Sequence, residues 1–534
     1  MTPHLTQSRR ARTLAAAGAV VAGLAAALVA APTTASADQQ SPSWISSISW
    51  SSTTLAQGVT LRTGTLSGTQ SAPFWTVTLQ SSTTNRLTGK PAATPLGTAA
   101  WADTTSQALT AAGYAPRRDD VAWPDYADVP DGLQGVRVRT GHYATQAQAA
   151  ATVTALKARG LAAVAEWTGY DVDTSPDGER IHVATIDPHA FDGNVYATHG
   201  GPIASRTKLS TVTAQLQATV GVNAGFFVTA DADGYQGAPT GIAAYQGKLE
   251  SLNNGPRSAV VLGDGPARIA RLTATVTVRS GGATEDVNGI NRKPGVVRDC
   301  GRPGGLPTAE PRQDVTCTVG SELVLFTPEL GATLPTGDGV QVTLDAHDKV
   351  TAVGTRGGTV PAGGSVIQGI GDDAAWLADH AVVGKPLQVS EKVRDEDGRN
   401  VPLTPHTSIA SAAPNLLTDG RIDIPAAGEG VIDPFDLSFN FAWAEVRQPR
   451  TMIATDAAGR LLLVTVDGRQ PGVSEGLTLV EEAQLLRSLG AVDAMNLDGG
   501  GSTAIATNGT LLNTTSDATG ERADGDFIVA VPAS

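Results

Sequence analysis

Hydrophobic residues recur along most of this chain with the two-residue period of β-strands, and few stretches have the spacing of helices. The clearest helix is predicted over residues 478–489, where Leu479, Ala483 and Leu486 share one face and Gly490 follows as the end. Further strands are predicted at residues 59–65, 74–79, 181–186, 220–227, 272–279, 321–326, 340–344, 365–370, 386–392, 452–455, 461–466, 491–497 and 526–531. We therefore expect an α+β fold, in which a mixed β-sheet domain carries flanking helices.

Residues 111–172 have a different pattern and predict a small α/β domain. A strand at 133–139 is followed by an Ala-rich helix at 145–159, by Gly160, and by a second strand at 161–167. Residues 136–145 (Val-Arg-Val-Arg-Thr-Gly-His-Tyr-Ala-Thr) and 157–161 (Lys-Ala-Arg-Gly-Leu), with 147–149 and Leu156, resemble the SPOR family of peptidoglycan-binding modules. The resemblance implies that this domain binds glycan strands of the cell wall. A small domain that only packs on its neighbour is the alternative.

The N-terminus predicts export from the cytoplasm. Arg9, Arg10 and Arg12 precede an apolar run at 14–31, and Ala35-Ser-Ala37 supplies a small-residue cleavage site, which together are typical of a signal peptide at 1–37. No later run is long enough to predict a membrane span. Removal of those three arginines changes the net charge from −14 to −17. An acidic protein without a basic run argues against nucleic acid as a partner, and we expect a secreted protein that is extracellular or associated with the cell wall.

Two cysteines, Cys300 and Cys317, lie in a segment rich in glycine and proline. A single pair in an exported chain predicts a disulfide that closes a loop. A metal site is the weaker alternative, because other ligand residues are not clustered with the pair. No cofactor is predicted, and a divalent metal stays open. Asp231 and Asp233 lack the remaining positions of a calcium loop and predict a plain turn.

The most distinctive stretch is residues 496–503, Asn-Leu-Asp-Gly-Gly-Gly-Ser-Thr. Asp498 ends a predicted strand, and Gly499, Gly500 and Gly501 follow it. Backbone N–H groups of such a turn are accessible because no side chain blocks approach, so the turn can hold a phosphate or the oxygens of a sugar. A tight turn between two strands is the simpler alternative.

Other chemically suitable residues follow residue 445. Arg450 precedes the strand at 452–455, Asp467 and Arg469 follow the strand at 461–466, and Glu521 and Arg522 precede the last strand. Two strands that end in Asp-Gly, each near an arginine, predict one pocket at one end of a sheet. Arginine is suited to this role because its planar guanidinium can bind a phosphate with two hydrogen bonds.

An ordered set of motifs resembles the phosphodiester glycosidase family, which includes N-acetylglucosamine-1-phosphodiester α-N-acetylglucosaminidases. The motifs are residues 222–227 (Val-Asn-Ala-Gly-Phe-Phe), 449–451 (Pro-Arg-Thr), 466–470 (Val-Asp-Gly-Arg-Gln), 489–490 (Leu-Gly), 496–503 and 520–522 (Gly-Glu-Arg). Ala224 and Ala454 stand where the family usually has glycine. Residues 74–79 also resemble the opening strand of the family, which implies that the SPOR-like domain is inserted into the catalytic domain.

The resemblance implies four parts of the chain. They are the signal peptide (1–37), an N-terminal β segment that is the first part of the catalytic domain (38–110), the SPOR-like domain (111–172) and the phosphodiester glycosidase domain (173–534).

The resemblance also implies hydrolysis of the bond between a sugar C1 and a phosphate oxygen, with a carbohydrate phosphodiester as substrate and peptidoglycan as a second partner. Asp467 and Asp498 are the candidate bases or nucleophiles, and Glu521 is a further acid or base. The candidate binding residues are Asn223, Gly225, Arg450, Arg469, Asn496, Gly499, Gly500, Gly501, Ser502 and Arg522. Two alternatives are a non-catalytic protein that binds cell-wall glycan and a phosphodiesterase that cleaves the P–O bond.

Overall fold

The computed structural model describes residues 42–68, 72–171 and 175–533, so the predicted signal peptide at 1–37 lies outside the described residues. The protein is mostly sheet, with 41% strand and 14% helix, which is compatible with the predicted α+β class. No helix in this part of the chain combines the length and hydropathy needed to cross a membrane. The α-helices are α1 Ser43–Ser46, α2 Ala99–Ala111, α3 Gln146–Lys157, α4 Leu209–Gln215, α5 Gly371–His380, α6 Phe441–Ala444 and α7 Leu479–Ser488.

Strands occur along the whole of the described chain. From the N-terminal side they are β1 Ser49–Ala56, β2 Val59–Leu66, β3 Trp75–Leu79, β4 Ser81–Thr84, β5 Pro91–Thr94, β6 Leu96–Gly97, β7 Pro116–Ala122, β8 Leu133–Tyr143, β9 Ala163–Trp167, β10 Glu179–Ile186, β11 Gly193–Thr198, β12 Thr207–Lys208, β13 Val220–Asn223, β14 Ala243–Tyr245, β15 Lys248–Ser251, β16 Arg257–Leu262, β17 Arg268–Ser280 and β18 Ala283–Ile290. They continue with β19 Val296–Cys300, β20 Arg312–Thr318, β21 Glu322–Phe326, β22 Val340–Leu344, β23 Val350–Gly354, β24 Ser365–Ile370, β25 Gln388–Arg394, β26 Ser408–Ser411, β27 Asn415–Thr418, β28 Arg421–Ile422, β29 Arg450–Asp456, β30 Leu461–Val466, β31 Ala491–Asn496, β32 Ile505–Thr507, β33 Thr510–Leu511, β34 Ala523–Asp524 and β35 Phe527–Pro532.

The centre of the fold is an eight-stranded sheet with the order β1-β2-β10-β30-β29-β31-β27-β28. One face packs against α7, so that Met452 and Val464 share a core with Leu479 and Leu486. The other face packs against a five-stranded sheet with the order β11-β35-β13-β32-β33. Because both faces are covered, the central strands are apolar at nearly every position rather than at every second one.

The directions of three neighbouring strands bring one end of each strand together at the same end of this sheet. β29 runs antiparallel to both β30 and β31. The C-terminal ends of β30 and β31 therefore lie beside the N-terminal end of β29. Residues that follow β30, follow β31 or begin β29 are consequently neighbours, as the two Asp-Gly strand ends predict.

α7 begins where its sequence predicts. The Thr478 hydroxyl accepts a hydrogen bond from the Glu481 N–H while the Glu481 carboxylate accepts one from the Thr478 N–H, which is a capping box. Gly490, in a left-handed conformation with φ +88°, follows the helix. The short connection then enters β31, so the helix and the strand that carries Asp498 are held as one unit.

A third sheet is built from the middle of the chain, with the order β15-β14-β26-β16-β17-β18-β21-β24-β22-β23 and with β25 beside β17. Among the strands described, β18 and β21 form the one parallel pair. β19 and β20 leave this sheet as a separate two-stranded hairpin. Cys300 and Cys317 form the predicted disulfide across it, with their Cα atoms 5.6 Å apart.

A small unit lies between β2 and β10 in the chain. Its five-stranded sheet has the order β6-β8-β3-β9, with β7 also paired to β8. The succession β3-α2-β7-β8-α3-β9 is a split βαβ arrangement. β3 pairs with β9 from Trp75 opposite Trp167 to Leu79 opposite Ala163. β3 and β6 pair within the sheet of this unit, and β4 and β5 form a separate two-stranded sheet. Of the segment 38–110, β1 and β2 belong to the eight-stranded sheet, in which β2 pairs with β10.

Candidate active site

The glycine-rich turn after β31 lines a cavity of about 260 Å³ together with Asp498, Arg469 and Arg522. These are the residues that follow β31, follow β30 and precede β34. The shared edge of the central sheet explains why Asp498 and Arg469 meet. The hollow that the sequence predicts at this edge is therefore present.

Two of the three glycines, Gly500 and Gly501, allow the two arginines to approach the turn. A Cβ on Gly500 would lie 3.1 Å from Nη2 of Arg469, and a Cβ on Gly501 would lie 2.1 Å from Nη2 of Arg522. Gly500 also has φ +61°, a conformation that other residues rarely adopt. Side chains here would displace the guanidinium groups, so the glycines and arginines act as a set.

Asp498 is half-buried at the cavity wall, and burial raises the pKa of its carboxyl group to about 6. A hydrogen bond from the Ser502 side chain and the charge of Arg522 oppose this rise in pKa. Asp524 is buried nearby, and burial followed by the charge of Asp498 raises the pKa of Asp524 well above its ordinary value. Asp498 is thus the carboxylate with both access to the cavity and a pKa near neutrality.

The arginines are held by neighbours and keep donors for a ligand. Arg522 donates from Nε and Nη2 to the carboxylate of Asp517, at 2.9 and 3.1 Å. Arg469 donates from Nε to Oε1 of Gln448 at 2.6 Å, and within the described chain its Nη atoms donate to no protein group. Two fixed guanidinium groups beside one turn form a site for an anion such as phosphate.

Arg450 does not reach the cavity, so its predicted phosphate contact is corrected. Its side chain is fully buried, where Nε donates to the Leu477 carbonyl at 2.8 Å and Nη2 to the Trp443 carbonyl at 2.6 Å. It also forms an ion pair with Glu482 of α7 at 3.0 Å. The physical reason is strand alternation, because Arg450 lies on the same face of β29 as Met452 and that face packs on α7.

Asp467 and Glu521 also lie off the cavity wall. Oδ2 of Asp467 accepts a hydrogen bond from the Thr514 N–H at 3.0 Å, and burial raises the pKa of this carboxyl group to about 6. Glu521 accepts hydrogen bonds from the N–H and hydroxyl of Ser210 at the start of α4. Neither carboxylate is among the residues that line the cavity with Asp498.

Four predicted binding residues are buried and support the site from behind. Nδ2 of Asn223 donates to the Asp498 carbonyl at 2.6 Å, and its Oδ1 accepts from the Thr451 hydroxyl at 2.7 Å. Asn496 donates to the Ala413 carbonyl at 2.6 Å. The Gly225 N–H donates to Asp526 at 2.7 Å, and Ser502 is buried next to Asp498. Asn223 thus holds the backbone at the start of the glycine-rich turn.

The hairpin β19–β20 forms a wall that the sequence does not predict. Arg298, Asp299, Gln313 and Asp314 line the cavity, and none of them is among the candidate residues of the sequence analysis. Both carboxylate oxygens of Asp299 are engaged, since Oδ2 accepts from the Thr240 hydroxyl and Oδ1 from the Asp314 N–H. The sequence feature that points to this hairpin is the cysteine pair, which encloses the segment between its two strands.

Aromatic residues form the third wall. Phe226 and Phe227 come from the motif after β13, while Asn440 is the N-cap residue of α6 and Trp443 lies within that short helix. The motif indicates the two phenylalanines, but no sequence pattern singles out Trp443. The cavity therefore combines a cationic end with an aromatic side, as a site for a sugar and a phosphate requires.

Loss of the disulfide is expected to weaken both the fold and ligand binding. In Cys300→Ser/Cys317→Ser, the unfolded chain gains freedom worth about 3 kcal/mol of stability, and the hairpin wall loses its covalent closure. Thermal unfolding and titration with N-acetylglucosamine-1-phosphate measure the two effects. A variant that lost stability but bound this ligand normally would show that the hairpin is not a functional wall.

The residues described contain no group of three or more His, Cys, Asp or Glu side chains arranged to hold a metal ion. Asp233 instead accepts a hydrogen bond from the Thr316 hydroxyl at 2.6 Å, which agrees with a turn at this position.

Comparisons with known proteins show which proteins this chain is similar to. A family model described as phosphodiester glycosidase matches residues 338–531. N-acetylglucosamine-1-phosphodiester alpha-N-acetylglucosaminidase of Mus musculus is 34% identical over 117 residues, which are 22% of this chain and 22% of that protein. The Bos taurus protein of the same name is 41% identical over 80 residues, 15% of each chain. The chain thus matches only about a fifth of the length of these curated relatives.

A solved structure gives a broader match. It is a Burkholderia pseudomallei K96243 protein whose description gives export as its expected fate. It is 30% identical, with a TM-score of 0.78, and the match covers 91% of this chain and 96% of that one.

Proposed function

We propose that the protein hydrolyses a sugar-1-phosphodiester of the N-acetylglucosamine-1-phosphate type, because residues 338–531 match the phosphodiester glycosidase family model. The products are the free sugar and a phosphomonoester. The observation that carries this proposal is the convergence of Asp498, Arg469 and Arg522 on one cavity lined by glycines. The curated relatives with this activity match only part of this chain, so the activity itself is our proposal.

The chemistry of the leaving group explains why arginines are prominent in the site. A phosphate monoester has a second pKa of about 6, so it departs from C1 with little need for a proton. What it needs is stabilisation of negative charge, which Arg469, Arg522 and the backbone of the turn supply. The bond that breaks joins C1 to the phosphate oxygen, and the new bond joins C1 to an oxygen from water.

Asp498 is assigned to the reacting carbon. In its ionised form it either takes a proton from the attacking water or stabilises positive charge at C1. Asp299 is less suited, because Thr240 and Asp314 occupy its two oxygens. Asp467 and Glu521 are not needed in this assignment.

Export and the small unit suggest where the substrate lies. We propose that the protein is secreted and acts on cell-wall or exopolysaccharide polymers that contain sugar phosphodiesters. The predicted signal peptide and the SPOR-like resemblance support this proposal, and the split βαβ order of the unit is compatible with a small binding module. Peptidoglycan is the proposed partner of that unit.

Hydrolysis in ¹⁸O-labelled water tests the reaction. Incubation with an N-acetylglucosamine-1-phosphodiester should release free sugar that carries the label at C1, and unlabelled phosphomonoester. Label in the phosphate would identify cleavage of the P–O bond instead. Retention on cell walls without any hydrolysis would support the alternative of a glycan-binding protein.

A further inference from the structure

Trp443 lies in the cavity wall and is fixed before any ligand arrives. The Cζ atom of Arg450 lies over the indole, 5.0 Å from the ring centroid. Phe226 meets the indole edge-on, with centroids 5.9 Å apart and planes at 70°. A cation on one face and an aromatic ring at the edge are both favourable contacts for tryptophan.

The backbone of Trp443 is held as firmly as its ring. Nη2 of Arg450 donates to the Trp443 carbonyl at 2.6 Å, and the same guanidinium is paired with Glu482. Because Arg450 is fully buried, this support is rigid. Little side-chain freedom remains to be lost when a ligand packs on the indole, which favours affinity.

Arg450 also places the indole next to the catalytic turn. A Cβ on Gly499 would lie 3.7 Å from both Cα and Cδ of Arg450, so the stem of this arginine runs under the turn that follows Asp498. Its guanidinium then continues under Trp443. The indole and the turn therefore both line the cavity, and Arg469 lies beside Gly500 of the same turn.

We propose that Trp443 is the platform on which the sugar ring of the substrate stacks, with Arg450 as its buried positioning residue. The proposal rests on the proposed function and adds that different residues bind the sugar and the phosphate. The apolar C–H face of a pyranose packs on the indole, while Arg469 and Arg522 bind the phosphate. Indole offers hydrophobic area but carries no charge for a phosphate, so the two contributions are separable.

Binding of two probes to Trp443→Ala separates these contributions. We expect the affinity for N-acetylglucosamine-1-phosphate to fall about tenfold or more, because truncation of a fixed tryptophan at a binding site commonly has a large effect. Affinity for inorganic phosphate should stay within about twofold, since the two arginines are untouched. Trp443→Phe should restore most of the sugar-phosphate affinity. On a phosphodiester substrate, Trp443→Ala should raise KM more than it lowers kcat.

Trp376→Phe is the control, because Trp376 stacks on His380 in α5 and is not part of the cavity wall. Equal loss of affinity for both probes in Trp443→Ala, or unchanged affinity for the sugar phosphate, would overturn the platform. The proposed function has a separate readout, which is hydrolysis by the unaltered protein. If that protein binds the sugar phosphate through Trp443 but hydrolyses no phosphodiester, the platform stands and the proposed activity fails.

Discussion

Replacement of Asp498 by asparagine is expected to lower kcat/KM for a sugar-1-phosphodiester about 10³-fold, within the range that a single acid–base group supplies. Asparagine keeps the shape of the side chain but can neither accept a proton from water nor place a negative charge near C1. Binding of N-acetylglucosamine-1-phosphate should persist, because the arginines and the turn remain. Steady-state kinetics and ligand titration on the same preparation measure both quantities.

Asp493→Asn is the matched control, since Asp493 lies on the same strand and accepts a hydrogen bond from the Asp419 N–H away from the cavity. Its activity should equal that of the unaltered protein. If Asp498→Asn folded normally and turned over at the full rate, Asp498 would have no part in the mechanism.

The pH profile of the unaltered protein is a second test of Asp498. Burial raises the pKa of this carboxyl group to about 6. If the ionised form acts, kcat/KM rises with pH up to about 6 and then levels off. The charge of Arg522 opposes the rise in the pKa of Asp498. Arg522→Gln should therefore move the rising part of the kcat/KM profile to higher pH, and it should also weaken phosphate binding. A profile that falls through pH 6 would assign Asp498 the opposite role, that of an acid.

Replacement of Arg450 by methionine is expected to destabilise the fold by about 3–5 kcal/mol, the usual effect of removing one partner from a buried ion pair. Glu482 would then be left buried without its cation, which lies 3.0 Å away in the intact protein. The double variant Arg450→Met/Glu482→Met should recover most of the loss, because no charge remains buried. Denaturant unfolding monitored by circular dichroism measures the change in free energy.

Arg460→Met is the control for this series. Arg460 is half-exposed and pairs with Asp456 at 2.6 Å, so its loss should change stability by no more than about 1 kcal/mol. A double variant as unstable as the single one would contradict the buried-pair explanation and indicate that packing of the arginine stem dominates.

The instability of Arg450→Met should also depend on pH. Burial raises the pKa of Glu482 and Arg450 opposes this rise. A carboxyl group with a raised pKa in the folded state holds a proton that the unfolded chain releases, so its stabilising effect is lost as pH rises above the ordinary carboxyl range. Without Arg450 the free energy of unfolding falls more steeply as pH rises. The stability that Arg450→Met loses relative to the unaltered protein should therefore be larger at pH 8 than at pH 5.

The contrast between Arg450 and Arg469 shows what the sequence can and cannot predict about the site. Both arginines lie at ends of apolar strands, and both are predicted to bind phosphate. Position along a strand predicts the sheet edge well, because strand ends are marked by Asp-Gly and by the loss of apolar residues. The face of the sheet on which a side chain lies is decided by the alternation of side chains along the strand, which places Arg450 with Met452 towards α7. Glu482 on the buried face of the predicted helix was a usable signal for that direction.

The hairpin wall and Trp443 were beyond prediction for a different reason. The hairpin is held by contacts with distant segments of the chain, such as the hydrogen bond from Nε2 of Gln313 to the Glu429 carbonyl, 116 residues away. No local periodicity encodes such contacts, and the separation of the two cysteines predicts only that a loop is closed. Conversely, the turn at Gly499, Gly500 and Gly501 is predictable because its chemistry and its conformation are both local.

The small unit leaves and rejoins the central sheet at neighbouring points, since Leu66 at the end of β2 is the register partner of Glu179 at the start of β10. Insertions whose two ends adjoin disturb their host little, so this junction suits the exchange of one accessory module for another during evolution. A replacement module would have to reproduce contacts such as the hydrogen bonds of Tyr126 with Glu445, of the Gly169 carbonyl with Arg447 and of Trp167 with Glu475. A change of module at this junction would then alter what the protein binds without altering the central sheet.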